Sequence, residues 1–307
     1  MAVTIDGTNG VTFNDTSLQG AAASPYVLKN RLINGSMLID QRNNGASTTA
    51  PNGGVTYVVD RWAVYTAGSN VTCQQVAGPN SYDKAQQLLP LTGNTITVFL
   101  QRIESKNCLD LPNKTVTVSG QIYIDSISGI ACTVAGYAAA STDSTYTTAI
   151  SGFNVSLTAG SYVSFSGQLS LPSTAYNGFE VDINFSGVVG RTIKITNVQL
   201  EVGTSATPFE RRLYNQELAN CQRYYEIGTA GWQGYSTNAS NFSIWVQYEV
   251  QKRAAATLVV ANSYNSGSWS SPSGSDGTIN GFLCKQTSGS TAGNAYFFNT
   301  FTASSEL

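Results

Sequence analysis

Eighteen carboxylates, five cysteines and four tryptophans are the side chains of evident chemical use in these 307 residues, and histidine is absent. Without imidazole there is no Ser-His-Asp triad, no Cys-His dyad and no imidazole metal ligand. Hydrolysis of a polysaccharide would need two carboxyls about 5 to 9.5 Å apart. Glu180, Asp182 and Asp276 are open candidates, but Glu180 and Asp182 alternate with Val181 and Ile183 and read as a solvated strand face. No catalytic residue is assigned. Cys73, Cys108, Cys132, Cys221 and Cys284 lie far apart with no CxxC pair. That pattern fits neither a disulfide framework nor a zinc site, and points to buried, small apolar side chains kept reduced. No run of ligands has EF-hand spacing. No cofactor is expected, and a structural calcium in a sandwich loop stays open.

Sugar recognition is the other chemistry within reach. It needs aromatic faces against sugar CH groups, with amides and hydroxyls beside them. Trp232, Tyr235, Tyr264 and Trp269 are the candidates. Trp232 (Ala-Gly-Trp-Gln-Gly-Tyr) and Trp269 (Gly-Ser-Trp-Ser-Ser) lie in loop-like sequence, where packing between copies of the chain is an equally good reading. Trp245, in a strand beside Val246, reads as core. So does Trp62, with Asp60-Arg61 before it as a structural pair.

The elements that must carry these residues are strands. Only 11% of residues are charged and the net charge is -2, against about 25% charged residues in ordinary domains. With no basic run, a nucleic-acid footprint is not expected. No apolar stretch approaches the ~18 residues of a membrane span, and the start MAVTIDGTNG lacks a signal peptide's charged and apolar regions. The chain is therefore expected not to leave the cell by that route. A hydrophobic share of 41% is enough for about two buried cores at this length.

Residues 1–24 stand apart. Val3-Thr-Ile5 and Val11-Thr-Phe13 alternate, with the turn dipeptides Asp6-Gly7 and Asn9-Gly10 between them. Strands this short are unstable alone, so Val3, Ile5, Val11 and Phe13 are expected to dock on another chain or on copies of themselves. Residues 25–206 read as an antiparallel β-sandwich or jelly roll, from period-two runs such as Val116, Val118, Ile122 and Ile124. A one-residue slip at Thr196-Asn197 suits a β-bulge. A linking helix is expected over 207–226: Thr207-Pro208-Phe209-Glu210 forms a capping box, and Tyr214, Leu218, Cys221 and Tyr225 an apolar interface stripe. The box could instead close the sandwich and leave a turn before Leu213. Residues 227–307 read as a β-rich tip, with a long Ser/Gly-rich loop from Asn262 to Gly281 around Trp269. The whole is an all-β chain.

Two groups of residues carry a resemblance. Lys29-Asn-Arg-Leu-Ile-Asn-Gly-Ser-Met-Leu-Ile-Asp-Gln-Arg42 and Val59-Asp-Arg-Trp62 open the sandwich. Ile195-Thr-Asn-Val-Gln-Leu-Glu-Val-Gly203, Thr207-Pro-Phe-Glu-Arg211 and Glu217-Leu-Ala-Asn-Cys-Gln-Arg-Tyr-Tyr225 close it. Both resemble a β-sandwich module of bacteriophage tail-fibre proteins, akin to carbohydrate-binding modules. Gly10-Val-Thr-Phe13 with Asp15-Thr-Ser-Leu-Gln19 is similar to the virion-docking peptides of such fibres. The resemblance covers residues 1–226. It implies a non-enzymatic homotrimer in the virion, assembled in the host cytoplasm. Residues 1–24 would dock on a tail or baseplate protein, and the tip would bind host surface polysaccharide. Trp269→Ala is then expected to weaken adsorption without unfolding the trimer. A purely structural virion part and a polysaccharide depolymerase are the alternatives.

Overall fold

Apolar and polar residues alternate along most of the chain, and Gly, Asn and Asp interrupt them at turns, so the backbone forms strands. The computed structural model describes residues 4–6, 10–12, 18–19, 29–80, 83–237, 240–266, 269–289 and 292–307. Strands β1 (Thr4–Asp6), β2 (Gly10–Thr12) and β3 (Leu18–Gln19) make a small antiparallel sheet with Ile5 opposite Val11. The first two strands pair with each other inside the chain. Val3 and Phe13 lie outside the described residues.

Twelve strands follow: β4 (Thr48–Ala50), β5 (Val55–Val59), β6 (Trp62–Ala67), β7 (Val71–Ala77), β8 (Lys84–Pro90), β9 (Ile96–Ile103), β10 (Thr115–Ile124), β11 (Ala131–Ser141), β12 (Ser144–Asn154), β13 (Tyr162–Ser170), β14 (Phe179–Ser186) and β15 (Ile193–Val202). They form two six-stranded antiparallel sheets, ordered β13-β10-β15-β8-β7-β4 and β12-β11-β14-β9-β6-β5. This is an antiparallel β-sandwich. Its core holds Val116, Val118, Ile122 and Ile124 from one sheet and Phe99, Val181, Ile183 and Phe185 from the other. Trp62 lies in this core, stacked on Phe99 at 4.7 Å, with its indole N–H donated to the Asn34 carbonyl at 3.1 Å. Asp60 and Arg61 are the two turn residues between β5 and β6, and Arg61 has φ 70°. Both are buried and structural, but they pair elsewhere and not with each other.

The slip at Thr196-Asn197 is a bulge: Ser119 faces Gln199 and Gln121 faces Thr196, leaving Asn197 and Val198 against Gly120 alone. Asn197 takes φ 52°, a left-handed conformation that asparagine tolerates better than most residues.

Helix α1 spans only Tyr214–Gln222. The Thr207–Glu210 box does not cap it; it closes the sandwich instead. The Thr207 hydroxyl and N–H both donate to the Glu201 carboxylate, and the Glu210 carboxylate accepts the N–H groups of Lys29 and Asn30. With those oxygens engaged, neither side chain is available to a helix N-terminus. The buried stripe of α1 is also not the expected one. Glu217 and Cys221 face inward, Tyr214 is 55% exposed, and Tyr225 belongs to the following strand. A carboxylate wins an inward position because it accepts the Asn34 N–H and an Arg212 Nη1–H.

The tip is a second, smaller sandwich. Its strands are β16 (Tyr225–Ser236), β17 (Asn241–Gln247), β18 (Thr257–Ser266), β19 (Ser273–Ser275), β20 (Gly281–Thr287) and β21 (Gly293–Ser304), in sheets β16-β21-β18 and β17-β20-β19. The Asn262–Gly281 stretch is not one loop: β18 and β19 run through it. Its polarity reflects two strands that each border a sheet and turn one face to water. The tip core is Phe282, Phe297, Phe301, Cys284 and Val246, with Trp232, Phe242 and Trp269 packed against it.

Candidate functional site

The aromatic face on the outside of sheet β16-β21-β18 is set by strand parity. On β21, Phe297, Asn299, Phe301 and Ala303 point into the tip, so Tyr296 and Phe298 point out. On β18 a bulge between Asn262 and Tyr264 changes the parity and turns Tyr264 to the same outer face, opposite Phe298. Tyr264 is 63% exposed and Phe298 45%. The rings stand in a row: Tyr264 to Tyr296 is 5.4 Å between centroids, and Tyr296 to Phe298 is 6.2 Å. Gly231 lies beside Phe298, and a Cβ there would meet the ring at 2.5 Å. Glycine thus lets the ring lie flat along the sheet. Gln233 and Ser266 flank Tyr296 across the strands, and Tyr235, 66% exposed, extends the row beside Asn294. Ile227 and Val259 occupy the end of the face nearest the sandwich.

Of the four glycan candidates, the structure puts Tyr235 and Tyr264 on this face and withdraws the two tryptophans. Trp232 lies 4.2 Å from Phe242 and 6.2 Å from Phe297, on the inner side of β16. Trp269 packs edge-on to Phe297 at 5.2 Å and donates its N–H to the Ser266 carbonyl. Both rings are partly buried against a tip core that is itself rich in aromatic residues. Trp245, read as core, is half exposed on the other sheet, with its ring over Gly281. Its parity was readable: Phe242, Ile244 and Val246 alternate inward, which places Trp245 outside.

A second concave surface lies on the sandwich, and the sequence carries only an indirect sign of it. Segment 204–212 crosses the outside of sheet β13-β10-β15-β8-β7-β4, fixed by Glu201, by Gln199 and by the Arg211–Asp83 ion pair. Between this strap and the sheet is a cleft of about 470 Å³, bordered by Ser119, Gln121, Ser164, Ser166, Asn197 and Phe209 among others. The bulge foreseen at Asn197 was the sign, because bulges re-aim side chains beside sites.

The carboxylates are placed otherwise than expected. Glu180 and Asp182 are each only 6% exposed, not on a solvated face. Glu180 is ion-paired to Arg102, while one oxygen of Asp182 has no hydrogen-bond partner among the described residues. Burial, and then the charge of Glu180, push the Asp182 pKa up to about 8. Asp60 is raised to about 7, again by burial first, against a hydrogen bond from Gln41. Asp276 is exposed and held low by Ser275 and Lys285. Among the described residues no three acidic or thiol side chains converge on a metal position. All five cysteines are buried, and burial raises every one of their pKa values.

Tip and sandwich are joined by ionic contacts. Glu306 pairs with Arg61 and, at 2.7 Å, with Arg42; Arg102 and the Tyr57 hydroxyl donate to the Leu307 carbonyl at 2.9 Å. Arg223 meets Glu104 at 2.9 Å and Arg253 meets Asp143 at 3.5 Å, while inside the tip Arg253 also reaches the carbonyls of Ser305 and Glu306 and Lys252 pairs with Glu226. The guanidinium groups of Arg42 and Arg61 also lie over Tyr225 and Tyr224, at 3.7 and 3.5 Å. Five of the chain's sixteen lysines and arginines, Arg42, Arg61, Arg102, Arg223 and Arg253, thus bridge this join. A groove of about 800 Å³ runs beside it, bordered by Gln41, Gln75, Tyr214 and Ile227.

No model of a known protein family matches the chain, and no curated protein does. Among solved structures, the chain is similar to the enzymatically active domain of bacteriophage CBA120 tailspike protein 4, at 18% identity and TM-score 0.36, over 57% of this chain and 21% of that one. It therefore spans about a fifth of the tailspike's length. It is also similar to a C-terminal family 22 carbohydrate-binding module of Clostridium thermocellum Xyn10B, at 14% identity and TM-score 0.34, over 59% of this chain and 96% of the module. A third similarity is to TmCBM61, solved with β-1,4-galactotriose, at 10% identity and TM-score 0.30, over 57% of this chain and all of that one. These likenesses are distant ones.

Proposed function

We propose that the chain is a non-enzymatic tail-fibre or receptor-binding protein of a bacteriophage. In this reading it acts as a homotrimer in the virion, docks on a tail or baseplate protein through residues 1–24, and holds a host surface polysaccharide with its tip. The observation that carries the binding part is the row of rings Tyr264, Tyr296 and Phe298, of which Tyr264 and Phe298 are exposed and Tyr296 is partly buried between them, with amide and hydroxyl side chains at its edges. Flat rings flanked by such groups suit the CH face and the hydroxyls of a sugar. The phage part is supported by the sequence resemblance alone. The absence of an enzymatic role is supported by Glu180 and Asp182, which are too deeply buried for a sugar to reach. Ile227 and Val259, aliphatic and exposed on the same face, favour a second reading in which the face packs against another copy as part of a purely structural component.

The test is binding of the purified full chain to an array of bacterial surface polysaccharides, with light scattering for its mass and an assay for released reducing ends. Expected are a trimer, binding without reducing-end release, and weaker binding by Tyr264→Ala at unchanged melting temperature. One lost ring contact is worth about 1 kcal/mol, about fivefold per site, and several sites acting together enlarge it. Absence of any bound polysaccharide would refute the glycan reading, and released reducing ends would establish a depolymerase.

A further inference from the structure

We infer that the cleft between the 204–212 strap and the sandwich is a second saccharide site, selective for a neutral oligosaccharide and independent of the tip. Its volume of about 470 Å³ lies within the range of pockets that enclose small ligands. Unlike the tip face, it is concave and mostly polar. The bulge at Asn197 turns that side chain toward Gln121, whose Oε1 accepts its amide N–H at 2.8 Å. The Asn197 Oδ1 is left hidden from water without a donor among the described residues.

The rest of the lining fits the same ligand. Ser164 and Ser166 project from β13, and their hydroxyls make no hydrogen bond among the described residues. Each can both donate to and accept from a sugar hydroxyl. Phe209 on the strap gives the apolar wall that a sugar ring's CH face requires. Charge is matched within the site: the buried Asp83 carboxylate is bonded to Arg211 and to the Asn80 amide. A charged sugar would have to disturb that pairing, whereas a neutral one would not. Residue 120 is glycine on the core side of β10, where a Cβ would lie 2.8 Å from the buried Phe165 ring.

The experiment uses the full chain and three neutral trisaccharides, cellotriose, maltotriose and chitotriose, at about 10 mM, above the dissociation constant of a weak site near 1 mM. Saturation-transfer NMR reads contact, and thermal melting checks the fold of each variant. Two cleft variants are compared with Tyr264→Ala. Gln121→Ala with Ser164→Ala removes hydrogen-bonding groups, and Ser166→Trp fills the cleft without removing any group of the Asn197 bulge. The expected result is transfer to at least one trisaccharide that persists in Tyr264→Ala. It should become about tenfold weaker in the double variant and vanish in Ser166→Trp. Transfer unchanged in both cleft variants would overturn the inference, as would no transfer from any of the three to the wild-type chain. Transfer lost only in Tyr264→Ala would overturn the cleft while leaving the tip reading intact.

Discussion

Replacing Asp182 by asparagine should make the protein more stable at neutral and alkaline pH and should change how its stability depends on pH. Asp182 is 6% exposed, has an oxygen without a partner among the described residues, and titrates near 8 because burial and the neighbouring Glu180 disfavour its charge. Arg102, which opposes that effect, is bonded to Glu180 and not to Asp182. In the unfolded chain the same carboxyl titrates near 3.8. Its folded pKa is raised, so its contribution to stability is complete below about pH 4 and is lost as pH rises toward 8. At 1.36 kcal/mol per pKa unit, the loss between pH 4 and pH 7 is at most about 4 kcal/mol. Water penetration and relaxation reduce it to about 2 to 3 kcal/mol. Asparagine has nearly the same shape and no charge, but its amide N–H groups lack partners, which returns about 1 kcal/mol. Urea unfolding at a series of pH values reads the difference. The Asp182→Asn variant should gain about 1 to 2 kcal/mol over wild type at pH 8 and be about 1 kcal/mol weaker at pH 4, where only the cost of the unpartnered amide remains. Asp60 and Glu180 titrate in both proteins, so the difference between the two curves isolates residue 182. Parallel curves, or a variant weaker by one constant amount at every pH, would refute the reasoning.

Two further outcomes follow from the packing. Trp269→Ala should destabilise the tip by about 3 kcal/mol, since the ring fills the aromatic core against Phe297, Phe242 and Trp232; a melting temperature equal to wild type would restore Trp269 as a surface residue. Glu306→Ala should leave Arg61 buried without its carboxylate, costing about 3 kcal/mol, and calorimetry should show the tip unfolding before the sandwich; a single unshifted transition would argue against the ionic join.

The strands of the sandwich were legible because the apolar residues that fill its core recur with period two along most of each strand. Even the bulge at Asn197 left its mark as a slip in that pattern. The tip was harder for a physical reason. On β21 both faces carry aromatics, Phe297 and Phe301 inward, Tyr296 and Phe298 outward, so composition alone cannot tell core from surface. On β18 the bulge before Tyr264 reverses the parity that Leu258 and Val260 establish. Thr207 and Glu210 misled for another reason: residues suited to cap a helix are equally suited to tie down a loop, and only tertiary contacts decide between Glu201 and a helix terminus. Glu180 and Asp182 sit opposite Val181 and Ile183 as alternation requires, yet both faces of β14 are covered. The cleft itself could not be read, because its lining comes from five separated stretches of sequence.

The ionic join sets the mechanical character of the molecule. A tip on a slack tether would sweep a volume, and its partners could lie at many separations. A tip clamped through Glu306 to Arg61 and Arg42, and through Arg253 to Asp143, keeps one angle to the sandwich. Copies mounted side by side would then behave as a ruler, strong where ligand spacing matches the mount and weak where it does not. A pull on the tip would also load the clamp before any strand of the sandwich.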